Sequence, residues 1–188
     1  MKNEKLAVET LLPPRFLFQI GAYLQTCAHI ELAICAVITC LEGCFPPDDN
    51  WLNKYSKNRK TSTSELIKKL RRTNKAKNNH GFAKDLEKLV DWIDRFVDNR
   101  HLAAHGAFFG SPEGFLRVDY LRNTGKKKSP NYEQTRTAIT EAMVTEVLND
   151  ANDIYLVLLG MLEQIKPGLS TDVHRVIVPL VEHPVSAK

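Results

Sequence analysis

The segment Arg100-His101-Leu102-Ala103-Ala104-His105 brings one guanidinium and two imidazoles within six residues of each other. On a helix of roughly 3.6 residues per turn, Asp94, Asp98, His101 and His105 form one stripe at i, i+4, i+7 and i+11. His-x-x-x-His is the ligand spacing of helical zinc proteases, but that motif needs a catalytic Glu directly after the first His. Leu102 stands there, so a zinc protease is excluded and no metal is expected. Solvated acids on an exposed face account for Asp94 and Asp98. His105 is followed at once by Gly106, which sets its ring in the last helical turn, beside carbonyls without intrahelical partners that favour an imidazolium. A proton-carrying histidine and a fixed guanidinium are the parts needed to cleave RNA by transesterification without a cofactor. The histidine moves protons at the 2′-hydroxyl or the leaving oxygen, and the arginine stabilises the charge on the phosphorane.

Arg100 lies on a different side of the same helix, the side of Leu89, Val90, Ile93, Phe96 and Val97. A guanidinium aimed at a core needs a carboxylate, backbone carbonyls or a ligand-admitting cleft. Glu31 is the only acid between Arg15 and Leu41, so it is the expected partner and supporting residue. The alternative is a purely structural ion pair.

The elements that position these residues are read from periodicity. Arg15 to Gly43 is apolar on nearly every face and reads as the central helix, with Gly43 at its C-terminal stop. Phe45-Pro46-Pro47-Asp48 breaks it, and Trp51 to Lys60 reads as a polar, basic connector. Ser62 or Ser64 caps a short helix to about Thr73 with Leu66, Ile67 and Leu70 as its stripe. Asn78 to Gly81 is the next turn, and Phe82 to Gly106 the second long helix. Ala107 to Phe109 and Phe115 to Leu121 read as strands around a turn at Ser111 to Gly114, with Tyr132 to Thr137 as a third short strand and Gly125 to Pro130 as a mobile loop. Thr140 to Ile165 is a third long amphipathic helix, stopped by Pro167-Gly168. The expectation is a mainly α helical bundle of three long helices plus a short one, with a small β-hairpin insertion after the motif helix. Residues 1–14 form a leader, 15–166 a single domain, and 167–188 a C-terminal tail that is either an extended arm or flexible.

Composition sets the class. With 43% hydrophobic and 26% charged residues the chain can build a core. Its start carries no apolar segment with a small-residue cleavage site, so secretion is not expected. Phe16 to Leu41 is long enough to cross a bilayer, but Gln19, Gln25, His29 and Glu31 are costly there, so it reads as a buried core helix and no membrane partner is expected. Cys27, Cys35, Cys40 and Cys44 lie on or just after this helix and cannot bridge well, which points to free thiols in a reducing, cytoplasmic setting. Cys40 and Cys44 are spaced to share a metal, yet no second pair accompanies them. Between Lys54 and Lys77 ten basic residues face the single acid Glu65, a net charge of +9 that leaves −5 for the rest of a +4 chain. That block, centred on Lys68, Lys69, Arg71, Arg72 and Lys75, is either a solvated face or a polyanion contact.

Arg100, four intervening residues and His105, with the polar His101 directly after the arginine, resemble the Arg-x4-6-His motif of the HEPN superfamily. The likeness extends to the order of elements over about residues 15 to 165: an early helix carrying an acid, a basic connecting region, the motif near the end of a long helix, and a final long helix. It is similar to standalone bacterial members. The resemblance implies a homodimeric helical bundle in which motif residues of two protomers converge on a shared cleft, and a metal-independent endoribonuclease of a toxin or defence system. Arg100 and His105 would then be catalytic, with His101 assisting, RNA the substrate, and an antitoxin or other protein a further partner. The same resemblance also fits a catalytically silent module that binds nucleic acid, nucleotide or protein. The hairpin between Ala107 and Thr137 departs from the minimal bundle. A helical interaction protein with a structural Arg100 and incidental histidines is the third reading.

Overall fold

A computed structural model describes residues 11–77, 81–110, 116–125 and 129–177. The leader up to residue 10, the turn at Asn78 to His80, the turn at Ser111 to Gly114, the lysines of the Gly125 to Pro130 loop and the last eleven residues of the tail lie outside the described residues. The chain is mainly helical with a small antiparallel sheet. The helices are α1 (Pro14–Leu41), α2 (Asp49–Arg59), α3 (Thr63–Ala76), α4 (Ala83–His105), α5 (Glu141–Ile165) and α6 (Leu169–Ile177). The strands β1 (Ala107–Gly110), β2 (Leu116–Asn123) and β3 (Tyr132–Ile139) follow α4 in the order β1-β2-β3.

Local chemistry explains most boundaries. Gly43, at φ +84, supplies the left-handed residue beyond the end of α1, and its N–H returns to the Cys40 carbonyl at 2.9 Å. Asp48 caps α2 by accepting from Asn50 N at 2.8 Å, and Ser62 caps α3. Thr140 accepts from Met143 N at the start of α5. The segment expected as a polar connector is the helix α2. Its one-sided stripe of Trp51, Tyr55 and Asn58 is buried, with the Trp51 and Tyr55 rings stacked at 4.7 Å. The tail opens with the helix α6, whose Leu169 and Val173 are buried. The Glu163 carboxylate accepts from the backbone N–H groups of Gly168 and Ser170 and from the Ser170 hydroxyl, capping this short helix from α5.

Contacts divide the chain into two compact units, residues 1–27 with 96–151 and residues 28–95 with 152–188. The first holds the sheet and the end of α4. Its core gathers Leu12, Phe16, Val118 and Ile139 with Leu102, Phe108, Leu116 and Val144 packed around them, and the Phe16 and Phe108 rings meet at 5.1 Å. The second buries Ile34 and Ile38 of α1, Trp51 and Tyr55, Leu70, Leu86 and Leu158. A polar chain runs through it. Asn58 donates to Thr39 Oγ1 at 3.0 Å, Thr39 donates to the Cys35 carbonyl, and Lys69 Nζ reaches both Asn58 Oδ1 at 2.8 Å and Glu42 at 2.9 Å. The buried side chains of Thr39 and Asn58 thereby find partners, as an interior favours.

One described helix, α1, is long and apolar enough to cross a membrane, and 56% of its most apolar window is buried inside the protein. The four cysteines are free and buried. Burial pushes the Cys35 thiol up to about 12 and the Cys40 thiol up to about 11, so neither is a nucleophile near neutral pH.

Candidate active site

The last turns of α4 carry Arg100, His101 and His105 into the first unit. Arg100 and His101 are half-buried and His105 is exposed. The two imidazoles lie nearly parallel, ring centroids 6.1 Å apart and planes at 21°, the outcome of i, i+4 spacing on one helical face. Burial holds the His101 ring below its ordinary pKa, reinforced by the Arg100 guanidinium and by His105; Asp98 opposes this, and Arg122 adds to it. These surroundings favour the neutral form of His101. The Arg100 charge is also felt by the buried Tyr23 hydroxyl, whose pKa burial raises well above the usual phenol range.

The helix ends abruptly. Gly106 N donates to the Leu102 carbonyl at 2.8 Å, and β1 begins at the next residue. A Cβ at Gly106 would lie 2.5 Å from that carbonyl oxygen and 2.6 Å from Val118 Cγ2. Glycine is thus what lets the strand start within one residue of His105. Arg122 of β2 pairs with Asp98 at 3.2 Å, so the sheet also reaches the acid that precedes the motif. The opposite face of this helix end, through Asn99, Leu102 and Ala103, lines a cavity of about 110 Å³ whose other walls include Phe16, Phe108 and Met143. Its lining is mostly apolar and contains no charged side chain.

Glu31 belongs to the second unit. It is half-buried, accepts from Thr63 Oγ1 at 2.6 Å, and borders a cavity of about 180 Å³ with Cys35, Asn58, Arg59 and Thr63. Thr63 as its neighbour could not be found from the sequence, since the two stand 32 positions apart. The basic candidates all lie on α3, where three of the five meet acids. Lys68 is 2.9 Å from Glu65, Lys69 is 2.9 Å from Glu42, and Arg71 is 2.8 Å from Asp91 and 3.7 Å from Asp94. Arg72 and Lys75 are exposed. Asp94 and Asp98, expected as solvated acids, are exposed, and each also has a guanidinium beside it. Among the described residues no group of three His, Cys, Asp or Glu side chains is arranged to hold a metal ion.

Compared with protein-family models, curated proteins and solved structures, the chain matches none.

Proposed function

We propose that this protein is a HEPN-like, metal-independent endoribonuclease, a helical bundle working as a homodimer, with Arg100, His101 and His105 as its catalytic residues. The observation that carries the reading is the pairing of unlike imidazoles at the end of α4: a half-buried His101 whose neutral form is favoured by burial and an exposed His105, with ring centroids 6.1 Å apart and Arg100 adjoining. An imidazole can accept or donate a proton, so two side by side supply a base and an acid. In the proposed reaction His101 takes the 2′-hydroxyl proton as that oxygen attacks phosphorus. Arg100 stabilises the phosphorane charge. The bond to the 5′-oxygen breaks as protonated His105 returns a proton to it, leaving a 2′,3′-cyclic phosphate and a 5′-hydroxyl.

The test is an RNA cleavage assay in EDTA comparing wild type with His105→Ala. Removing a positioned acid or base costs roughly 10²- to 10⁴-fold, and an exposed residue at a helix end should leave the melting temperature unchanged. Equal cleavage by both proteins removes His105 from the chemistry. Cleavage by wild type only with added divalent metal overturns the mechanism. Absence of cleavage by pure wild type makes the protein a binding module.

A further inference from the structure

We propose that the outward face of the three-stranded sheet is the platform on which the substrate lies, and that it takes RNA as a single strand. The inference rests on the ribonuclease reading and adds to it a place and a strand preference.

Register settles which residues share this face. Phe109 pairs with Arg117, Asp119 with Arg136, and Asn123 with Tyr132. Because side chains alternate along a strand, Phe109, Arg117, Asp119, Leu121, Tyr132 and Arg136 project together. The other face carries Val118 and Ile139, which are buried in the core with Phe108 and Leu116. The outward set remains open: Phe109 is 39% exposed, Leu121 61% and Tyr132 60%.

The arrangement of charge matches a nucleic acid. Arg117 lies over the Phe109 ring, 5.4 Å from its centroid. The Asp119 carboxylate stands between two guanidinia, 3.4 Å from Arg117 Nε and 3.6 Å from Arg136 Nε, while the two arginine side chains stay 55% and 64% exposed. One carboxylate thus orients two cations without covering them, and the face retains positive charge. Aromatic rings interleaved with guanidinia are the parts that stack bases and meet phosphates. Only unpaired bases can reach those rings, since duplex RNA presents its backbone and its shallow groove instead. The platform is also tied to the chemistry by the chain itself, since β1 starts at Ala107, directly after His105 and Gly106.

The experiment is fluorescence anisotropy with a short labelled single-stranded RNA of mixed sequence and with the same RNA annealed as a duplex, using His105→Ala protein so that the probe stays intact. Phe109→Ala and Tyr132→Ala should each weaken single-strand binding about tenfold, with Tyr132→Phe restoring it and melting temperatures unchanged. Arg136→Gln should lower the salt dependence by about one ion. Single-strand binding should exceed duplex binding. The proposal is overturned if the sheet variants bind like their parent, if duplex is preferred, or if those variants instead lose a dimer in sedimentation while RNA binding is untouched. Failure of the ribonuclease reading looks different: sheet-dependent RNA binding then persists while wild type leaves the RNA uncut.

Discussion

Replacing Gly106 by alanine isolates the junction between motif helix and sheet. Gly43 and Gly168 are the described glycines with positive φ, so Gly106 adopts a backbone that alanine also tolerates and the cost is steric. The new methyl would stand 2.5 Å from the Leu102 oxygen and 2.6 Å from Val118 Cγ2, about 1 Å inside ordinary carbon contact distances. Neither neighbour yields easily. The oxygen is backbone and already accepts Gly106 N at 2.8 Å, and Val118 is fully buried. Overpacking of this kind costs about 1–3 kcal/mol, and the backbone partner places Gly106→Ala toward the upper end. The reduced freedom of the unfolded chain returns about 0.4–1 kcal/mol. A net loss of about 2 kcal/mol corresponds to a fall in melting temperature of about 4–8 °C for a chain of this size, read by calorimetry or far-ultraviolet circular dichroism. Val118→Ala removes one of the two clashing atoms, so the double variant should be about 1 kcal/mol less destabilised than the two single losses combined. A Gly106→Ala protein within about 0.5 kcal/mol of wild type, the range of an ordinary surface change, refutes the reasoning.

Two further outcomes follow from charge. His101 has a folded pKa below its unfolded value, so the unfolded chain binds the proton more readily; stability should be full above about pH 6.5 and decline as the pH falls toward the folded value, and His101→Gln should flatten that decline in melts across pH 4 to 8. Arg71 stands within 2.8 Å of Asp91, 3.7 Å of Asp94 and 3.9 Å of Glu87; Arg71→Ala leaves those acids facing one another and should cost about 1 kcal/mol or less, shrinking in high salt, whereas exposed Arg72→Ala should leave a denaturant melt unchanged.

Much of the helical content was legible because its signals are local. α3, α4 and α5 repeat apolar residues at helical spacing, and α1 is apolar on nearly every face with Gly43 beyond its end. α2 escaped because most of its residues are polar or basic, and its stripe consists of only Trp51, Tyr55 and Asn58; read together with the Asp48 cap, that stripe was the available signal. The opening helix of the tail was hidden by its shortness and by Pro167-Gly168, which stops one helix and also begins the next. The strands were visible as alternation, but their register was not, so the outward row from Phe109 to Tyr132 could not be assembled beforehand. Long-range ion pairs were equally invisible. Arg71 and Asp91 stand 20 positions apart, and no local rule joins them. The motif residues themselves were readable as chemistry because helical spacing alone puts His101 and His105 side by side.

The strand β3 closes the sheet on one side, and its outer row of backbone donors and acceptors meets no further strand among the described residues. Eight residues of open edge invite a second chain to add on and seed growth without end. What the edge offers such an intruder is Glu133, Gln134, Thr135, Arg136 and Thr137, a polar run with opposite charges three apart and no apolar zipper to lock against. The composition of this strand thereby acts as a gatekeeper. A strand of this composition gives an added chain little apolar surface to pack on, and the sheet can leave one broad face in water.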